Sequence, residues 1–429
     1  MPPLRRDTHH DILLKMFDAG VRCVQAENCL PSHLPPLTRT GRTLVLGAGK
    51  ASAAMAAVVA SKYGRDISGL VVTRYGHGLE TKTPGIEVIE AAHPVPDARS
   101  QAAANRMLEL AGALTAADRL IFLASGGGSS VLSLPAPGFR FEQKQALIKH
   151  LLRSGASISE INCVRKHVSA IKGGRLAEAA GEAEIHTFVI SDVPSDNPSD
   201  VASGPTIPDQ STLAGALDVI RRYGAPELDA IHGVLNDANN ETGKISRPNW
   251  HTHIVGTATE CLRGSEKVAR GFGYPVINLG ANLEGLSSDL GREHASLAKK
   301  MFARGQPVII ISGGETTVKV NNLQGCGGRN MEYALALAIE LDGHRGISAL
   351  ASDTDGIDGS EDAAGALINN SSIARAHALG LDPHQHLANN RSYAFFRALG
   401  DLVETGPTRT NVNDFRAILV DPRDGPPTM

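Results

Sequence analysis

A chain of 429 residues, 42% hydrophobic and 20% charged, is long enough for two α/β domains with a core each and too balanced to be disordered or fibrous. Its formal net charge of −3, with no long run of Lys/Arg, gives no electrostatic footprint for nucleic acid or anionic lipid. No window approaches the roughly 18 apolar residues of a membrane span, and 45 glycines against 4% aromatics favour an α/β fold built on tight turns and small side chains.

The N-terminus, MPPLRRDTHHDILLKMF, has two arginines but neither an unbroken apolar stretch nor a small-residue cleavage site, so neither secretion nor membrane insertion is expected. From Asp11 to Leu30 the apolar Leu13, Met16, Phe17, Val21 and Val24 recur at helical steps and predict an amphipathic helix. The Pro-rich LPSHLPPLTRTG ends it. Thr43 to Leu46, then GAGK, then an Ala-rich stretch read as strand, glycine turn and helix, the first half of a βαβ unit. Further apolar runs lie in GLVVT, IEVIEAAHPVPD, RLIFLASGGGSS and HTFVISDVPSDNPSD, each stopping at a Gly, Pro or Asp cluster. Around residues 235–250 the strand signal fades and turn residues accumulate, which predicts a boundary between a domain of residues 1–240 and one of 241–420. Beyond it, HIVGTA, YPVINLG, PVIIISGGETTV and ISALASDTDGIDG are strand candidates separated by helical patterns, so a second α/β domain follows. The last dozen residues are expected to fray. Cys23, Cys29, Cys163, Cys261 and Cys326 are scattered without CxxC spacing and read as reduced thiols of a cytoplasmic protein.

In parallel α/β sheets ligands bind beyond the carboxyl ends of the strands, where strand-to-helix loops and helix N-termini gather. GAGK, HPVPD, SGGGSS, SDVPSDNPSD, SGGET and SDTDGIDG all begin where an apolar run ends, so together they predict one site. Ser125, Gly126, Gly127, Gly128, Ser129 and Ser130 suit a phosphate or carboxylate, because glycines let several N–H groups point at one anion; the bland alternative is a tight turn. Gly47, Gly49 and Lys50 follow a strand, but Ser52 breaks GxGxxG, while Leu44 and Ala51 break the Walker pattern. Lys50 at a helix start opposes the helix dipole, a placement that a bound anion would offset.

Asp192, Asp196 and Asp200, with Asp353, Asp355 and Asp358, are dense enough to suggest Mg²⁺ or a general base, although each alone suits an Asx-turn or helix cap. An EF-hand fails, since Ile357 and Asp358 occupy positions needing a ligand and a glycine. The candidate metal set is Asp192, Asp353 and Asp355. Arg165, Lys166, Lys172 and Arg175 lie on a predicted helix of which only part can reach a site, and Lys172 is kept as a binding candidate. Arg329 follows three nearby glycines at a helix start, where a guanidinium suits a carboxylate or a transferring phosphate; Glu315 and Asn330 stand with it as binding candidates. His93 reads first as a hydrogen-bonded structural histidine, and Cys326 lacks a partner base that would make it a nucleophile.

Read together, LGAGKAS, AAHPVPD, ASGGGSS, INCVRKHVSAIKGGRLA, ISDVPSDNPSDVASGPT, ISGGETTV, GGRNMEYALALA and SDTDGIDGSEDAAGA resemble the class II glycerate kinases, the family with a C-terminal MOFRL domain. The likeness runs from about residue 10 to 415. It implies a Rossmann-like N-terminal domain and a second α/β domain containing the MOFRL region, about 305–415, with the active site in the cleft between them. It also implies the use of ATP and Mg²⁺ to convert D-glycerate to 2-phosphoglycerate, with Lys50 and Arg329 matching the family's catalytic lysine and arginine. Asp192 is the third catalytic candidate. Small-molecule partners are expected, with a homo-oligomer left open. Two other readings stay open: a hydroxypyruvate reductase using a nicotinamide cofactor, a label some members carry, and a non-catalytic sensor of the same ligands.

Overall fold

The computed structural model describes residues 8–37, 40–359 and 361–424. They form two compact units, one holding Ala26–Val255 and the other the residues before and after it.

The first unit is built on β1 (Thr43–Ala48), β2 (Ile67–Arg74), β3 (Ile86–Ala91), β4 (Arg119–Ala124), β5 (Glu184–Ile190) and β6 (Trp250–Gly256), in the order β3-β2-β1-β4-β5-β6. The pairs from β3 to β5 are parallel. β1 and β4 are buried at every position, as continuous apolar runs must be when helices cover both faces of a sheet. Leu46, Leu70, Phe122 and Val189 pack there with Ala103, Ala104 and Met107 of the helix Ala98–Gly112. Asp97, last residue of HPVPD, caps that helix by accepting from the Ser100 amide at 3.0 Å.

The second unit carries β7 (Val276–Asn278), β8 (Val308–Gly314), β9 (Ile347–Asp353), β10 (Gly365–Ile368), β11 (Leu402–Val403) and β12 (Asp414–Val420), ordered β11-β10-β9-β12-β8-β7. β12 lies antiparallel between β8 and β9, with Asp414 opposite both Gly314 and Asp353. Here the expectation of a frayed tail is corrected. Ile418, Leu419 and Val420 are core residues of a central strand, and Asp421 accepts from the Tyr274 hydroxyl at 2.8 Å; residues 425–429 lie outside the described residues.

The N-terminal helix Thr8–Val24 belongs to this second unit, unlike the expected grouping of residues 1–240. Its partner is the helix Ala258–Gly271, whose Ser265 hydroxyl donates to the Met16 carbonyl at 2.8 Å. A Cβ on Gly20 would stand 2.4 Å from Ser265 Oγ, and one on Gly264 2.5 Å from Cys23 Sγ, so the two glycines permit this close approach. Among the described residues no helix is long and apolar enough to cross a membrane.

Candidate active site

The order β3-β2-β1-β4-β5-β6 reverses direction between β1 and β4, and a doubly wound sheet opens its ligand crevice beyond the carboxyl ends of such a pair. The loops there are GAGK and SGGGSS. Their backbones are used differently. In the first loop the amides of Gly49, Lys50, Ala51 and Ser52 go to Val72 O (3.0 Å), Gly126 O (2.8 Å), Ser125 Oγ (3.0 Å) and Gly49 O (3.1 Å). In the second, among the hydrogen bonds of the described residues, none takes the amides of Gly126, Gly127 or Ser129. The first loop thus acts as a brace and offers the Lys50 side chain, while the second presents N–H groups of the kind that bind anions. A Cβ on Gly127 would lie 3.2 Å from the His93 ring and 3.4 Å from Lys50 Cγ, so His93 and Lys50 bracket the glycine loop. Asp192 stands two residues beyond β5 at the same sheet edge, half-buried.

Beneath this loop runs a strained turn. Ala202, Ser203 and Gly204 have φ of 53°, 59° and 55°, and each non-glycine residue there costs about 1–2 kcal/mol. Lys172 Nζ donates to Ala202 O at 3.1 Å, and the amides of Gly173 and Gly174 to Ser203 O (3.1 Å) and Gly204 O (2.8 Å). The KGG of the family-like string is therefore a cradle for this turn. The held turn brings Ser203 Oγ to 2.7 Å from Ser129 Oγ. Lys172, expected to bind ligand, is fully buried instead, and its burial together with the charges of Lys144, Arg165 and Lys166 pushes its ammonium well below the usual lysine range. A Cβ on Gly128 would meet Ala202 Cβ at 2.5 Å and Ala48 O at 2.9 Å. Gly128→Ala is accordingly expected to destabilise the chain by about 1–3 kcal/mol and to lower turnover, measured by urea unfolding alongside an ADP-release assay; unchanged stability would show that the loop does not need this contact.

In the second unit Arg329 opens the helix Arg329–Leu341. Its Nε lies 2.6 Å from Asp414 Oδ1, its Nη2 3.0 Å from Asp353 and its Nη1 3.0 Å from Glu315. Burial alone would lower its pKa, but the three carboxylates hold it well above the ordinary arginine value. Asn330 Nδ2 also donates to Asp414 Oδ1, at 2.8 Å. Arg329, Asn330, Glu315 and Asp353 thus meet around Asp414, which is not among the residues selected from the sequence. A cavity of about 350 Å³ beside them is lined by Arg329, Glu332, Asp353 and Asn390, among others.

Asp358, Asp200, Asp353 and Asp355 have partners within the protein. Asp358 caps the Arg329–Leu341 helix, accepting from the amides of Asn330 (3.1 Å) and Met331 (2.8 Å). Burial pushes its carboxyl up to about 6 against the pull of these bonds. A folded-state pKa raised above the ordinary value of about 4 contributes stability that is full below that value and is lost as pH rises through about 6. The Asp358 carboxyl carbon is expected to titrate near 6 by NMR; titration near 4 would refute the assignment. Asp200 pairs with Lys166 at 3.4 Å. Asp353 accepts from Arg329 and, through Oδ1, from the Asp355 amide at 3.0 Å, while Asp355 Oδ1 accepts from the Ile357 amide at 2.8 Å. Among the described residues the one compact group of three candidate metal ligands is elsewhere, at Glu184, His186 and His251. Cys326 is exposed, and its thiol is shifted up, away from the reactive thiolate, by desolvation and by Glu361.

Residues 12–236 match the family described as Domain of unknown function (DUF4147), and residues 308–414 match the MOFRL family. The chain is 38% identical to the D-glycerate 2-kinase of Thermotoga maritima, over 94% of this chain and 96% of that one. It is 46% identical, over 95% and 94%, to an Agrobacterium vitis protein provisionally named hydroxypyruvate reductase. The crystal structure of the Thermotoga maritima glycerate kinase superposes with a TM-score of 0.87 at 37% identity, covering 96% of this chain and 99% of that one. The chain belongs to the glycerate kinase family in which a DUF4147 domain is joined to a C-terminal MOFRL domain.

Proposed function

We propose that this chain transfers the γ-phosphoryl group of ATP to the 2-hydroxyl of D-glycerate, giving 2-phosphoglycerate and ADP. The observation that carries this reading is the crevice beyond β1 and β4, where three amides of the SGGGSS loop stand beside the Lys50 side chain. The amides of Gly126, Gly127 and Ser129 hold an anionic group of a substrate, the Ser129–Ser203 hydroxyl pair orients it, and Lys50 and Arg329 supply the positive charge that phosphoryl transfer requires. A magnesium ion, when bound, would neutralise phosphate oxygens, and Asp192 at the end of β5 is the carboxylate we assign to it, since magnesium uses one or two carboxylates beside phosphate. The glycerate oxygen attacks the γ-phosphorus, the bond to ADP breaks, and the hydroxyl proton leaves to a base in the crevice. Asp353 and Asp414 orient Arg329 rather than touching substrate.

A reductase reading draws on the name of the Agrobacterium vitis relative. Against it, a dinucleotide fingerprint needs free amides after β1, and here all four are taken within the protein. Ser52 also stands where the third glycine belongs, its hydroxyl donating to Gly49 O (2.8 Å) and Val72 O (2.9 Å). Incubation with ATP, Mg²⁺ and D-glycerate, coupled to enolase without a mutase, should yield phosphoenolpyruvate. Product only after mutase addition would overturn the regiochemistry, and NADH loss with hydroxypyruvate but no ADP would favour the reductase.

A further inference from the structure

At the opposite edge of the first sheet, where β5 begins, Glu184 and His186 alternate along the strand and share one face. His251 and His253 do the same on the neighbouring edge strand β6, which the Ile185 amide joins by donating to Asn249 O at 2.9 Å. One ligand atom each from Glu184, His186 and His251 lies within 4.8 Å of the others. Glu184 Oε1 is 3.0 Å from His186 Nε2, and His186 Nδ1 is 3.3 Å from His253 Nε2. Metal–nitrogen bonds of about 2.0 Å in a tetrahedron set neighbouring ligand atoms about 3.3 Å apart; Glu184 Oε1 and His186 Nε2 are already near that spacing, and the His251 nitrogen lies within 4.8 Å of both. The second carboxylate oxygen of Glu184 is fixed by Arg119, whose Nε lies 2.8 Å away, so Oε1 stays turned toward His186. His251 is exposed and His186 buried, which gives an ion a way in and a rigid floor.

We propose that Glu184, His186 and His251 form a binding site for a divalent transition-metal ion of the zinc class, with His253 positioning His186 through its other ring nitrogen. Two imidazoles and a carboxylate, with a fourth position open to water, are the donor set that such ions take and magnesium does not. The site is separate from the phosphoryl-transfer crevice, which lies at the other ends of the same strands, and it links the edge strand β6 to β5.

The test uses the full chain without an affinity tag, stripped with chelator. Titration with Co²⁺ should give the intense visible bands of a tetrahedral ion, saturating at one per chain, displaced by Zn²⁺ and unaffected by excess Mg²⁺. His251→Ala should abolish the bands and remove the rise in thermal midpoint that Zn²⁺ gives the parent protein. His253→Ala should weaken Co²⁺ binding about 10–100-fold, the usual effect of losing a partner behind a ligand. His251→Cys should restore binding and add a thiolate-to-cobalt charge-transfer band, a result that a merely structural histidine would not produce. Absence of the bands in the parent protein, or bands of equal strength in His251→Ala, would overturn the proposal.

Discussion

Lys50→Met is expected to fold as the parent protein does and to lose about two to three orders of magnitude in kcat, the cost of removing one preorganised electrostatic contact to a transition state. The fold should survive because the turn is held through backbone: the amides of Gly49, Lys50, Ala51 and Ser52 all have partners that do not involve the Lys50 side chain. Stability should move slightly upward. The helix Ser52–Tyr63 has no acidic residue in its first turn, so a cation at its start faces the positive end of the dipole, and its removal relieves about 0.3–1 kcal/mol. A residue that costs stability and supports turnover is the signature expected of a group kept for a ligand. Steady-state kinetics with thermal unfolding on the same preparation would check both signs. An unchanged kcat would remove Lys50 from the chemistry, and a collapsed thermal midpoint would make it structural.

Local features of the site were legible because local sequence encodes them. Strand, glycine turn and helix between Thr43 and Tyr63 occupy one short stretch, and the crevice position follows from strand ends alone. What could not be read was pairing over distance. Asp414 meets Arg329 across 85 positions, and β12 enters between β8 and β9 from the far end of the chain, so the central place of DFRAILV depends on partners distant in sequence. One signal was available: Asp414 and Arg416, two apart in an apolar run, share a strand face, and charges there need partners when buried. Lys172 was misread for a related reason. A lysine beside two glycines looks like an anion contact, and only the left-handed turn at Ala202–Gly204, itself invisible in sequence, shows that its ammonium holds a carbonyl. Asp358 is the helix cap that a single aspartate suits as well as a ligand site.

Asp414→Asn is the substitution expected to cost most in stability. Asp414 is buried, with Oδ1 accepting from Arg329 Nε at 2.6 Å and from Asn330 Nδ2 at 2.8 Å, and Oδ2 accepting from the Thr316 amide at 3.2 Å and from Arg416 Nη2. Burial alone would raise its pKa, but Arg329 and Arg416 hold the carboxyl below the usual range. A depressed folded-state pKa contributes stability that is present above the unfolded value and is lost as pH falls through the folded one, so this carboxylate supports the fold at neutral pH and fails in acid. Arg416 is 1% exposed. With an amide at 414 it keeps Gly313 O at 3.2 Å, Thr316 Oγ1 at 3.0 Å and the Tyr333 ring at 5.3 Å, but loses its counter-charge. Breaking such a buried pair from one side costs about 3–5 kcal/mol, to be read from urea unfolding at pH 7. The loss in Asp414→Asn should shrink as pH is lowered toward the range where the parent carboxylate protonates. Arg416→Met in the Asp414→Asn background should cost less than Arg416→Met alone, because the two groups share one interaction. Turnover should fall as well, since Arg329 loses the charge of its nearest partner, but together with stability, whereas Lys50→Met separates the two. Equal stability of Asp414→Asn and parent across this pH range would mean that the carboxylate holds neither arginine.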